Sequence, residues 1–180
     1  MPFLLYGATG YTGRLIARLA VARGLRPILA ARDPARLGAL ADELGLESRA
    51  VSLDAPRALD LALTPVPLVL HAAGPFARTA RPMVEACLRT GTHYLDITGE
   101  IAVFEALAAR AREATEAGIM VLPGVGFDVV PTDCLAMHLH RRQPSATRLR
   151  LAIRTLGGVS HGTARTAAEN AGHGGAARVA

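Results

Sequence analysis

Three glycines near the N terminus have the spacing that most clearly implies chemistry. Gly7, Gly10 and Gly13 follow a short apolar run and form G-x-x-G-x-x-G, a variant of the commoner G-x-G-x-x-G. The first glycine permits a tight turn out of a strand, the second lets a pyrophosphate approach the backbone, and the third lets a helix pack closely on a sheet. Free N–H groups at the start of that helix, together with the helix dipole, would then bind phosphates.

The residues between these glycines complete a loop that we expect to bind a dinucleotide. Thr9 and Thr12 would add hydroxyl donors at the rim of the loop. The segment consists of Gly7, Ala8, Thr9, Gly10, Tyr11, Thr12 and Gly13. A glycine-rich turn without a ligand is the alternative, but the position of the loop between a strand and a helix favours cofactor binding.

The residue that ends the second predicted strand selects the cofactor. Proteins that bind NAD place an acidic side chain about twenty positions beyond the glycines, where it accepts the ribose 2′-hydroxyl. Here that position holds Arg32, whose guanidinium suits a 2′-phosphate and can stack on adenine. Asp33 precedes Pro34 and is more simply interpreted as a helix cap. The sequence therefore favours NADP(H), with NAD(H) as the alternative.

Three later segments fall at the carboxyl ends of predicted strands, where open α/β sheets bind their ligands. The small residues Ala73, Gly74 and Pro75 would leave room for the nicotinamide ribose. The acidic candidates for contact with a substrate are Asp96, Glu100, Asp128 and Asp133. Glu100 and Asp133 have a simpler interpretation, because each could belong to the start of a helix. We assign no residue as the catalytic acid or base.

The elements that must position these residues alternate along the chain. Strands are predicted at 2–6, 27–31, 49–53, 66–71, 93–95 and 119–122, and helices at 11–23, 34–44, 81–89 and 100–116. Near-continuous apolar runs separated by helices indicate parallel strands covered on both faces. The fold class is therefore α/β, a Rossmann-type doubly wound parallel sheet.

The pattern changes after the sixth strand. A helix is predicted over 132–142, and alternating arginine and aliphatic residues over 147–155 predict a strand with one wet face. We therefore expect a Rossmann NAD(P)-binding domain at 1–130, followed at 131–180 by the incomplete beginning of an α+β second domain. An incomplete domain would leave an apolar patch, which makes a homo-oligomer possible.

Composition excludes several classes of function. The net charge is +5 and every Lys or Arg position is arginine, but the arginines are scattered, so nucleic-acid binding is not expected. The apolar stretches are short and interrupted, so no membrane span is expected. Cys87 and Cys134 are far apart and follow no signal peptide, which fits buried thiols in a cytoplasmic protein. The histidines and cysteines lack metal-site spacing. Without lysine, the Tyr-x-x-x-Lys mechanism of short-chain dehydrogenases and any Schiff base are impossible.

These segments together resemble the saccharopine dehydrogenase-like family, including its trans-acting enoyl reductase branch. The resemblance rests on the glycine loop, on Ala72 to Phe76, on Val84 to Cys87 and Thr92 to Glu100, and on Gly124 to Asp133, with a further element at Ser160 to Thr163. It implies an NAD(P)-dependent oxidoreductase that transfers hydride to a C=C or C=N bond of a small molecule. Family members are longer than this chain, so a truncated, non-catalytic NADP(H)-binding redox sensor or regulatory protein is the alternative.

Overall fold

The structure, a computed structural model, describes residues 2–152 and contains one six-stranded sheet. The strands are β1 (Leu4–Tyr6), β2 (Ile28–Ala31), β3 (Ser48–Ala50), β4 (Leu68–His71), β5 (His93–Asp96) and β6 (Val121–Leu122). The helices are α1 (Tyr11–Ala22), α2 (Pro34–Leu44), α3 (Pro56–Leu63), α4 (Phe76–Thr90), α5 (Ile101–Ala108), α6 (Ala111–Glu116) and α7 (Val130–Arg142).

All strand pairs are parallel, and the strand order is β3-β2-β1-β4-β5-β6. The order reverses between β1 and β4, which therefore form the switch point of a doubly wound Rossmann sheet. The predicted fold class is confirmed. Because ligands of such sheets bind outside the carboxyl ends of the strands, the loops after β1 and β4 lie at the centre of the expected crevice.

Two apolar cores cover the two faces of the sheet, because side chains alternate along each strand. Leu5 and Leu29 pack against α1 and α2 on one face. Leu4 and Tyr6 lie on the other face, in a larger core with side chains of α3, α4, α5 and α6. This division is expected when crossovers of one hand run in opposite directions from the switch point.

Local sequence signals explain several helix boundaries. Asp33 accepts hydrogen bonds from the N–H groups of Ala35 and Arg36 and so caps α2, and Pro34 occupies its first turn. Gly45 ends the same helix in the left-handed conformation, at φ +62°. The predicted capping role of Asp33 is confirmed.

Several predicted elements differ from the structure. No helix was predicted at α3, and β3 lies slightly earlier than expected. The helix predicted to begin at Arg81 begins instead at Phe76, so Pro82 lies inside it. The single helix predicted over 100–116 is wrong, because a tight turn at Ala109 and Arg110 divides it into α5 and α6. Residues 147–152 form no strand, and 153–155 lie outside the described residues.

The two cysteines lie in different environments. Cys87 is fully buried, and burial raises the pKa of its thiol to about 12. Cys134, on α7, is exposed, so the prediction of two buried thiols is wrong for that residue. Within residues 2–152, no helix has the length and apolarity needed to span a membrane, and no three potential metal ligands cluster together.

Candidate dinucleotide-binding site

The turn after β1 presses directly against the loop after β4. Gly7 has φ +88°, and a Cβ there would lie 2.8 Å from the carbonyl carbon of Ala72 and 2.9 Å from the Ala73 Cβ. The N–H groups of Gly7 and Ala8 both donate to the carbonyl of Ala30, which holds the turn over β2. Only glycine fits this position, because both the positive φ and the close approach exclude a side chain.

The third glycine lets α1 pack on the turn itself. Gly13 is buried, and a Cβ added there would overlap the carbonyl oxygen of Gly7 and lie 2.8 Å from the Ala8 Cα. These are backbone atoms, so no side-chain rotation can relieve the overlap. The close packing of helix and turn fixes the direction in which the first turn of α1 points.

The first turn of α1 has the features of an anion-binding helix terminus. Gly10 is the N-cap residue, and no side chain within residues 2–152 caps this end of the helix. A Cβ at Gly10 would contact only the carbonyl oxygen of Gly7, at 3.2 Å, and would otherwise face open space. The early N–H groups of α1 are thus available to a ligand, and their partial positive charge suits a diphosphate. Around them, Thr9 is half-buried and Thr12 is exposed.

Two guanidinium groups lie at the end of the sheet formed by β2 and β3. Arg32 directly follows β2, and Arg36 lies in the first turn of α2. Both residues are exposed, and neither forms an ion pair within residues 2–152. Arg36 was missed in the sequence, although its spacing of four from Arg32 across a helix start was a usable signal.

Tyr6, at the end of β1, is buried and contacts the segment that follows β3. The hydroxyl of Tyr6 donates to the carbonyl of Val51 at 3.1 Å and so ties β1 to the loop after β3. Burial raises the pKa of Tyr6, the positive charge of Arg32 lowers it, and the negative charge of Asp54 raises it.

The loop after β4 contains Ala73, Gly74 and Pro75, with a cis peptide bond between the last two. The Thr79 hydroxyl donates to the carbonyl of Ala73 at 2.7 Å and to that of Pro75 at 3.0 Å. Hydrogen bonds to Thr79 of α4 thus hold the loop in place, and the loop adjoins the Gly7 turn. The structure brings the two predicted cofactor segments together.

Asp96 ends β5 and is completely buried. Its carboxylate accepts hydrogen bonds from the Tyr94 hydroxyl at 2.7 Å, the Thr98 N–H at 3.0 Å and the Gly124 N–H at 2.9 Å. Burial raises the pKa of Tyr94 well above its usual value, and the adjacent carboxylate raises it further. The buried charge joins the loop after β5 to the loop after β6.

Glu100 lies between β5 and α5 but binds a different helix. Its carboxylate oxygens accept hydrogen bonds from the N–H groups of Phe76 at 2.9 Å and Ala77 at 3.0 Å, the first two residues of α4. Its own N–H donates to the Thr98 hydroxyl at 3.0 Å. Glu100 thus caps α4 from 24 positions along the chain, which sequence patterns could not indicate.

Asp128 is exposed, unlike Asp96 and Glu100. It lies in the loop after β6, and a Cβ at Gly99 would approach its side chain to 3.1 Å, so the loops after β5 and β6 touch. Asp133 is exposed in the first turn of α7. That any of these acids contacts a substrate stays a prediction.

His71, at the end of β4, belongs to the core. Its ring packs among Tyr6, Phe76 and Tyr94, and neither ring nitrogen has a hydrogen-bond partner within the described residues. Complete burial lowers the pKa of His71 to about 3, so the imidazole is neutral at physiological pH. The neutral ring is thus part of the apolar core.

Comparisons with known proteins agree with this geometry. Residues 3–122 match the family model described as the saccharopine dehydrogenase NADP binding domain. Curated relatives include the trans-acting enoyl reductases of Mycobacterium ulcerans and Mycobacterium leprae, each 35% identical over 147 residues, or 77% of this chain. The chain spans about a third of their length, since the match covers 35% of each relative.

Solved structures show the same fold. Apo saccharopine dehydrogenase (L-Glu forming) from Saccharomyces cerevisiae has a TM-score of 0.66 and 23% identity, covering 78% of this chain and 31% of that one. The Citrobacter sp. triphenylmethane reductase complexed with NADP(H) has a TM-score of 0.52 and 20% identity, covering 64% of this chain and 46% of that one.

Proposed function

The chain belongs to the saccharopine dehydrogenase NADP-binding domain family, and its cofactor is NADP(H); we propose that it functions as an NADP(H)-dependent oxidoreductase. The proposed reaction is hydride transfer to a C=C or C=N bond of a small molecule. The observation that carries the proposal is the uncapped first turn of α1, which is packed against a glycine turn too tight for any Cβ. That arrangement is a cradle for a diphosphate.

The residues of the cradle would bind the cofactor in two halves on either side of the switch point. Backbone N–H groups in the first turn of α1 bind the pyrophosphate, with Thr9 and Thr12 at the rim. Arg32, assisted by Arg36, binds the 2′-phosphate over β2. The nicotinamide half lies over β4 and β5, beside the loop of Ala73, Gly74 and Pro75. When bound, NADPH supplies the hydride.

The substrate would lie beyond the loops after β5 and β6, where Asp128 is exposed. Reduction of a C=C bond is favoured over C=N, because the relatives at 35% identity are named enoyl reductases. The structural likeness to saccharopine dehydrogenase, at 23% identity, speaks for the fold alone.

A second candidate is a protein that binds NADP(H) as a sensor or regulator and catalyses nothing. It is favoured by the contacts of the acidic residues, since backbone or hydroxyl donors occupy the carboxylates of Asp96 and Glu100, and His71 is neutral and buried. The test is NADPH oxidation by the full-length protein with enoyl thioesters and cyclic imines. Turnover supports the oxidoreductase, whereas NADPH binding without turnover on either substrate class supports the sensor.

Replacement of Arg32 by alanine tests the choice of cofactor. We expect Arg32→Ala to weaken NADPH binding about 10- to 100-fold, because one charge-assisted contact to phosphate contributes about 1.5–3 kcal/mol. NADH binding should change little. The measurement is fluorescence titration of both cofactors. Arg23→Ala is the matched control, because it also removes an exposed guanidinium, but at the C-terminal end of α1. An unchanged ratio of NADPH to NADH affinity would contradict the assignment.

A further inference from the structure

Three loops at the carboxyl ends of β4, β5 and β6 are joined by an unbroken series of hydrogen bonds. The Gly124 and Thr98 N–H groups donate to one carboxylate oxygen of Asp96. The Glu100 N–H then donates to the Thr98 hydroxyl, and the Glu100 carboxylate accepts from the first turn of α4. These bonds thereby fix the positions of loops that are far apart in sequence relative to one another.

Carboxylates suit this task better than neutral side chains. Each of the two acids accepts at least two hydrogen bonds, and bonds to an ionised acceptor are shorter and stronger than those between neutral groups. Glu100 also places its negative charge at the N-terminus of α4, where the helix dipole stabilises it. Asp96 is completely buried, so its donors would otherwise lack partners.

We propose that Asp96 and Glu100 are positioning residues, whose hydrogen bonds to three separate loops set the shape of the wall beside the nicotinamide half of the cofactor. The proposal rests on the proposed function for the identity of the ligand. The wall consists of 72–76, 96–100 and 123–126, which follow the strands on the nicotinamide side of the switch point. The adenosine half would lie over β2 and β3, on the other side of the switch point.

This separation of the two halves provides the test. Adenosine 2′,5′-bisphosphate reports the adenosine half alone, whereas NADPH requires both halves. In Glu100→Gln, the amide keeps one oxygen, and its NH₂ group faces the second backbone donor, so one hydrogen bond and the charge are lost. We expect about tenfold weaker NADPH binding and less enhancement of nicotinamide fluorescence. The affinity for adenosine 2′,5′-bisphosphate should stay within about twofold of wild type.

Two further variants make the result specific. Glu116→Gln removes an exposed carboxylate that pairs with Arg112 on α6, and it should change neither affinity. Thr98→Val removes the hydroxyl that links the two carboxylates but keeps both charges. It should weaken NADPH selectively and by a smaller factor, and it tests the same series of hydrogen bonds if Glu100→Gln folds poorly.

The outcomes separate this role from the proposed function. Selective loss of NADPH affinity in Glu100→Gln and Thr98→Val supports the positioning role. Equal losses for both ligands, or no loss for either, overturn it while leaving cofactor binding by the wild-type protein intact. If the wild-type protein binds neither ligand, the proposed function fails, and the positioning role fails with it.

Discussion

Gly13→Ala should abolish NADPH binding, with an affinity at least about 100-fold below wild type, since misplaced backbone donors forfeit several charge-assisted hydrogen bonds. The added Cβ would overlap the Gly7 carbonyl oxygen and lie 2.8 Å from the Ala8 Cα. Relief requires α1 to move away from the turn, which takes its N–H groups away from the diphosphate. Fluorescence titration with NADPH measures the loss of binding, and thermal unfolding measures the accompanying loss of stability.

Two other glycines provide the controls. Gly38→Ala makes the same chemical change inside α2, where a Cβ would meet nothing within 4 Å, and it should leave binding intact and stabilise the helix by up to about 1 kcal/mol. Gly10→Ala adds a Cβ over the first turn of α1 with only slight crowding. It should weaken NADPH binding with little effect on unfolding. Tight binding by both Gly13→Ala and Gly10→Ala would contradict the placement of the pyrophosphate.

Acid should destabilise the protein through His71 in a defined range of pH. The pKa of this imidazole is about 3 in the folded protein, against an ordinary value of 6.5. Below pH 6.5 the unfolded chain takes up a proton that the folded protein refuses. The free energy of unfolding therefore falls by about 1.4 kcal/mol per pH unit, and the loss reaches about 2–3 kcal/mol near pH 4.5. Below about pH 3 the folded protein also binds the proton, and this contribution levels off.

His71→Leu should remove that dependence. Leucine has a similar size and no titrating group, and the two unpartnered ring nitrogens disappear with the imidazole. Stability at pH 7 should therefore be unchanged or higher. His138→Gln, on exposed α7, is the control and should keep the wild-type dependence. The measurement is urea unfolding at pH 7, 5.5 and 4.5. Parallel curves for wild type and His71→Leu would show that His71 is not the group responsible.

The parts of the fold that the sequence predicted are those with local causes. The glycine turn, the Asp33 cap and the left-handed Gly45 each depend on residues within a few positions of one another. The parallel sheet was predicted from the alternation of apolar runs and helices, because strands and helices each leave a periodic pattern in the sequence.

Contacts between residues distant in sequence accompany two of the errors. The start of α4 at Phe76 depends on the Glu100 carboxylate, which is distant in sequence and replaces the missing local cap. The tight turn at Arg110 follows no glycine or proline, and Arg110 there bonds to Glu113 and lies near Glu85. The sequence likewise could not predict that Asp96 and Glu100 accept hydrogen bonds from backbone groups. An acidic residue at a strand end fits a contact with a substrate equally well.

The Glu100 carboxylate at the N-terminus of α4 also bears on the direction in which a dinucleotide would bind. The fold has approximate internal two-fold symmetry, so α1 after β1 and α4 after β4 open toward the same crevice. A dinucleotide is itself nearly symmetric about its diphosphate. If the N-termini of α1 and α4 were both free to bind phosphate, the dinucleotide could bind in either of two opposite directions. The Glu100 carboxylate occupies the N-terminus of α4, where its charge would repel a phosphate, whereas the N-cap residue of α1 is Gly10, which has no side chain. In the proposed binding mode, this one negative charge would therefore fix the direction of the dinucleotide and place its nicotinamide over β4 and β5.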